Sequence, residues 1–107
     1  MTAVVAFVPD LMDRSKVAAV GGDRVAFVSS VSALAAVDPA VDLVVVDLAR
    51  PGVLAALSRL RAGGSTVRVI GFGSHVEREL LDAARAAGCD EVLARSAFFG
   101  RLPQLLA

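Results

Sequence analysis

Tryptophan and tyrosine are absent from these 107 residues, and cysteine, histidine and lysine occur once each, as Cys89, His75 and Lys16. A single thiol excludes an intrachain disulfide and a thiolate metal cluster. Cys89 stands in Ala87-Gly88-Cys89-Asp90, a helix exit leading into a strand, where a free cysteine packs as an inert, small hydrophobe. The lone His75 has no acid paired with it, and its neighbour Ser74 faces another way, so no nucleophile–histidine–acid set is visible. The chain is therefore not expected to be an enzyme. Excess charge of either sign is missing too: 11 basic residues balance 11 acidic ones. No general attraction to nucleic acid or acidic lipid is expected. No apolar run approaches the roughly 20 residues of a membrane span, and no basic segment with a small-residue cleavage site opens the chain. A cytoplasmic location follows as an expectation. Ten of the basic residues are arginine, a skew that reflects genomic composition.

What the chain has in abundance is apolar side chains, 56% of the total, with a mean hydropathy of +0.69. A chain of this length buries roughly two thirds of its unfolded surface, enough for one core, and residues 1–107 read as a single domain. Five strand-like runs alternate with helical patterns. Ala3–Val8 precedes Leu11–Val20, Arg24–Val28 precedes Ser32–Val37, and Leu43–Asp47 precedes Pro51–Ala62. Val67–Phe72 then leads to Ser74–Ala87, and Glu91–Ala94 to Phe98–Leu106. The strands are β-branched and nearly continuous, as strands covered on both faces are. Leu54, Leu57 and Leu60 make one helical stripe, and Val76, Leu80, Ala84 and Ala87 another. Gly21-Gly22, Gly63-Gly64 and Gly88 stand where helices end. Strict alternation predicts an α/β fold, a doubly wound (βα)5 sandwich of flavodoxin-like type with parallel strand order 2-1-3-4-5.

In such a sheet a site forms at the carboxyl ends of the strands. Asp10 lies there after the first strand, Asp47 ends the third, Gly71-Phe72-Gly73-Ser74-His75 follows the fourth, and Arg95-Ser96 the fifth. The third strand is the unusual one. Asp42-Leu43-Val44-Val45-Val46-Asp47-Leu48 reads as a strand buried on both faces, yet it ends in a carboxylate before the Pro51-Gly52 turn.

Those segments resemble the receiver domain of two-component response regulators. Asp42–Leu48 with Pro51-Gly52 is similar to the phosphoacceptor strand and its turn. VIGFGSHV falls at the fourth strand and switch hydroxyl, and Ala87-Gly88-Cys89-Asp90-Glu91-Val92-Leu93-Ala94-Arg95 at the family's "AGADDYLxK". The resemblance implies Asp47 as phosphoacceptor, with Asp10 and Asp47 as candidate Mg2+ ligands and Ser74 and Arg95 as site residues. It also implies a protein partner, a histidine kinase or an effector, and pairing through the last helices. The departures are specific. The acidic pair reads Pro9-Asp10, the switch position is Gly73 with the hydroxyl one residue on, and the lysine is Arg95, followed by Ser96. A degenerate, pseudo-receiver member fits these changes.

Several residues carry a second, structural reading. Asp47 either accepts phosphoryl or pairs permanently with Arg95. Asp10 is also a good N-cap for the first helix, and Asp13 an acid suited to that helix's dipole. Arg14 and Lys16 read as solvated helix charges. Ser74-x-x-Glu77 is a capping box, and the glycines of Gly71-x-Gly73 a weak phosphate-approach signal. Ser96 reads as the cap of the last helix. Phe98, Phe99, Leu102, Leu105 and Leu106 exceed one buried stripe, so Phe98, Phe99 and Leu102 mark a candidate interface for a partner or a homodimer. The expected function is a stand-alone receiver-like signalling or interaction module. The alternative is a small anionic-ligand binder using the Asp47/Arg95 edge, since Arg95 is a bidentate anion donor.

Overall fold

The computed structural model describes residues 2–107. Strands β1 (Val4–Phe7), β2 (Val25–Phe27), β3 (Leu43–Asp47), β4 (Arg68–Gly73) and β5 (Glu91–Ala94) form one parallel sheet in the order β2-β1-β3-β4-β5. Helices α1 (Leu11–Gly21), α2 (Val31–Ala35), α3 (Val53–Ala62), α4 (Arg78–Ala86), α5 (Arg95–Gly100) and α6 (Leu102–Leu105) join and follow them. A 3-10 turn, Gly22–Arg24, leads into β2. Among the described residues no helix is long and apolar enough to cross a membrane.

The triple-valine strand explains itself in this setting. Every residue of β3 is buried, and side chains alternate across the pleat. Val44 and Val46 join Phe7, Leu34, Leu57 and Leu60 on one face, whereas Leu43 and Val45 join Val17, Ile70, Phe72 and Phe98 on the other. Pairing of β3 with β1 and β4 runs from Val4↔Leu43 to Asp47↔Phe72. Leu48 extends it by one bond, donating its N–H to the Phe72 carbonyl at 2.9 Å. Gly71 is a packing requirement here and not a phosphate loop: a Cβ on it would lie 2.8 Å from Leu48 Cδ2.

Two helices begin elsewhere than their sequence suggests. The Ser74-x-x-Glu77 capping box does not form. Ser74–Glu77 is a turn in which Val76 donates its N–H to Ser74 Oγ at 3.4 Å, and α4 starts at Arg78 without a side-chain cap. Val76 is consequently outside the helical stripe and exposed. Likewise Ser96 lies inside α5, whose N-cap is Ala94. The single last helix expected over Phe98–Leu106 is two short ones, divided at Arg101 with Pro103 in the first turn of the second.

The candidate interface points inward. Phe98 and Leu102 are buried and Phe99 is half-buried. Phe98 stacks on Phe72 with ring centroids 4.4 Å apart, and Phe99 meets both rings edge-on at 5.4 and 4.9 Å. Burying a side chain such as Phe98 contributes about 1.5–3 kcal/mol, so Phe98 and Leu102 are core, with Phe99 packed half-buried against them.

Candidate functional site

The carboxyl edge of the sheet collects Asp10, Asp13, Asp47, Ala49, Arg50, Pro51, Gly73, Ser74, Glu77 and Arg95 around a cleft of about 480 Å3. Each strand end delivers its residue for a local reason. Asp10 is extended and caps α1, accepting the Asp13 N–H on Oδ1 at 3.0 Å. That bond is the main reason its carboxyl is held below the ordinary value of 3.8; burial opposes it next, and a backbone bond from Met12 and the charges of Arg50 and Arg95 then act with it. Asp47 ends β3 only 4% exposed. Its Oδ1 accepts the Ala49 N–H at 3.0 Å, closing an Asx turn, and its Oδ2 accepts Arg50 Nε at 3.3 Å. Gly52 continues the turn at φ 83°, a left-handed conformation that favours glycine, and α3 begins directly after it.

Arg95, on the first residue after β5, does not pair with Asp47. Its Nη2 donates to both oxygens of Asp13, at 2.8 and 3.0 Å. Its Cζ also lies 5.4 Å from the centroids of Phe72 and Phe99. Guanidinium and aromatic faces attract in this arrangement, so the rings of the core steer the side chain toward α1. The Asp13 hydrogen bond is the main cause that raises the Arg95 pKa; desolvation opposes it next, and the charges of Asp13, Asp47 and Asp10 add to the rise. Asp13 stands in the first turn of α1 as expected, and it is also buried: its side chain is 5% exposed against 44% for Arg95. A sequence signal for this exists. Asp13, Val17 and Gly21 are the buried residues of α1, four apart, so Asp13 heads the inward stripe.

The flanking charges are placed as well. Lys16 Nζ sits 5.0 Å from the Phe99 centroid and Arg14 Cζ 4.7 Å from that of Phe27; both cover aromatic faces and are not simply solvated. His75 is exposed and does not line the cleft.

Mg2+ takes six octahedral oxygens, typically one or two carboxylates with waters or phosphate. Asp47 holds Arg50, Asp13 holds Arg95, and Asp10 holds a helix N–H. Among the described residues no group of three or more carboxylate, imidazole or thiolate side chains is placed to hold a metal ion. With Arg50 on Asp47 and Arg95 on Asp13, these carboxylates are already engaged, and the residues as arranged do not fit magnesium.

No protein-family model matches this sequence, and no curated protein matches it. Solved structures do. The receiver domain of the TMAO respiratory system response regulator TorR aligns at a TM-score of 0.80 and 19% identity, covering 99% of this chain and 97% of that one. FixJ-N aligns at 0.75 and 19%, covering 100% and 97%. The chain has the receiver fold. NtrX from Brucella abortus aligns at 0.79 and 23%, over 98% of this chain and 26% of that one, so the receiver-fold chain spans about a quarter of NtrX. Within that fold Asp10, Asp47, Ser74 and Arg95 all reach one cleft, as their strand ends predict.

Proposed function

We propose that this chain is a receiver-type signalling module that works by binding a protein, with a carboxylate site kept closed by its own arginines. The observation that carries this reading is the division of the cleft into two internal ion pairs, Arg50–Asp47 and Arg95–Asp13. Phosphoryl transfer to a carboxylate relies on cations placed to neutralise the charge that develops on the transferred group. Here one cation already sits on the acceptor oxygen and the other is turned toward α1, while the Ser74 hydroxyl accepts the Val76 N–H. A surface offered constantly to a partner suits such a site better than one switched at Asp47.

Intact-mass measurement after incubation with MgCl2 and acetyl phosphate tests this, with Asp47→Asn in parallel and a labelling-competent receiver as control. No mass gain is expected while the control is labelled. A phosphoryl-sized gain in the wild type that Asp47→Asn abolishes would overturn the proposal and make Asp47 a phosphoacceptor.

A further inference from the structure

The two arginines of the cleft are held very differently. Arg95 has three partners: its Nη2 donates to both oxygens of Asp13, and its Cζ lies 5.4 Å from the centroids of Phe72 and Phe99. Arg50 has one. Its Nε donates to Asp47 Oδ2 at 3.3 Å, its side chain makes no other hydrogen bond among the described residues, and 41% of that side chain is in water.

Asp47 in turn divides its two oxygens between separate duties. Oδ1 accepts the Ala49 N–H at 3.0 Å and so belongs to the turn. The backbone of that turn is fixed at both ends without the Arg50 side chain. Before it, Leu48 donates its N–H to the Phe72 carbonyl at 2.9 Å. After it, Pro51 has its φ set by its ring, and Gly52 stands at φ 83°. Oδ2 is the other case: among the described residues Arg50 is its one hydrogen-bond partner, on a residue only 4% exposed. A buried carboxylate is costly without a partner, and this one draws its charged partner from a mostly free side chain. Turning Arg50 to another staggered rotamer would uncover Oδ2 and leave Oδ1 where it is.

We propose that Arg50 is a side-chain latch over Asp47, an autoinhibitory contact that opens by rotation of its own side chain with the backbone unchanged, while Arg95 is a fixed strut between α5 and α1. The proposal rests on the reading of the site as closed by its own arginines, and it assigns the closure to one of them. With the latch aside, Oδ2 faces the cleft as a free carboxylate oxygen, a nucleophile or hydrogen-bond acceptor for whatever enters.

The test is carbodiimide modification at pH 6, which reads the exposure of a carboxylate with no metal involved. The carboxylate oxygen and one proton add to the carbodiimide to give an O-acylisourea, and methylamine then displaces the urea to leave an N-methyl amide. Modification of Asp47 is mapped by peptide mass spectrometry and normalised to the exposed Glu79; a urea-unfolded sample shows the full reactivity of Asp47. Protection of a buried group reflects how rarely it opens, so Asp47 is expected to react at least about ten-fold faster in Arg50→Ala than in the wild type. Arg95→Gln is expected to leave Asp47 as protected as in the wild type. Amide spectra of 15N-labelled Arg50→Ala should differ from wild type only near the turn and the cleft. Equal protection of Asp47 in wild type and Arg50→Ala, equal reactivity in both, or exposure by Arg95→Gln to the same degree would overturn the proposal. So would amide changes in Arg50→Ala that spread along β3 and β4, which would make Arg50 a support of the backbone. Phosphoryl labelling of the wild type would overturn the closed site itself, whereas equal carbodiimide labelling of wild type and Arg50→Ala would overturn only the role of Arg50.

Discussion

Arg95 donates to both carboxylate oxygens of Asp13 across the gap between the start of α5 and the first turn of α1, and the pair is asymmetric in burial. The acid is inside and the base is half in water. Removing the base strands a buried charge, whereas neutralising the acid releases an arginine that water can solvate. Arg95→Met is therefore expected to cost about 1–3 kcal/mol in urea unfolding, below the range for fully buried pairs because solvent reaches the guanidinium. Asp13→Asn should cost less, under about 1 kcal/mol, since the amide oxygen still accepts one bond. The reverse order would mean that Asp13 is held by something other than Arg95.

Arg61 supports a second prediction. From the end of α3 its Nε and Nη2 donate to the Gly88 carbonyl at 3.1 and 2.8 Å, its Nη1 to the carbonyls of Ser65 and Val67 at 3.1 and 2.6 Å, and its Nη2 also to Asp90 at 3.0 Å. One planar guanidinium thus ties two loops that lead into β4 and β5. A lysine cannot reproduce that fork. Arg61→Lys is expected to lower stability by about 2 kcal/mol, read as a reduced urea midpoint with unchanged slope.

Gly71 and Leu48 should behave as a coupled pair. Gly71→Ala places a methyl 2.8 to 2.9 Å from three Leu48 side-chain atoms, and overpacking of this kind costs about 1–3 kcal/mol. Leu48→Ala alone opens a cavity at a residue 2% exposed. The double substitution is expected to be less destabilising than the sum of the two, by about 1 kcal/mol in a double-mutant cycle. Additivity would show that the sheet relaxes around the methyl.

Cys89 gives a pH prediction. Burial is the main cause that pushes its thiol from the ordinary 9.0 up to about 11; the Arg61 charge lowers it and the Asp90 charge raises it. Its folded pKa lies above the unfolded one, so its contribution to stability is complete below pH 9 and fades as pH rises toward 11. Iodoacetamide labelling at pH 8 should be at least about a hundred-fold slower in the folded protein than in urea. Rapid labelling in native buffer would place the thiol on the surface.

The reach of sequence reading differs between backbone and side chain. Continuous β-branched runs placed β3 and β4, which are buried on both faces, and strict alternation with helices left few strand orders. The strand ends then brought Asp10, Asp47, Ser74 and Arg95 to one edge. Which acid Arg95 would hold was not legible: a long side chain at that edge reaches more than one carboxylate, and the choice was made by Phe72 and Phe99, residues 23 and 4 positions away. The capping box failed for a similar reason. The Ser74–Glu77 motif matched, but the backbone leaving β4 makes a turn first and delays α4 to Arg78. Phe98 and Leu102 looked surplus to one stripe, yet with Leu106 they stand four apart and are buried together.

The last helix ends where the first strand starts. Arg24 donates to the Leu106 carbonyl at 2.6 Å, and Thr2 Oγ1 to that of Ala107 at 3.5 Å, in a hollow also lined by Asp42, Arg68 and Arg101. Thr2 and Ala107 thus meet on the edge opposite the cleft. A permuted domain with Ala107 joined to Thr2 by a short glycine bridge, and reopened in the exposed Asp38–Ala40 turn, would keep all four strand pairings. It would also carry its new ends on the same far edge, since that turn lies between α2 and the start of β3.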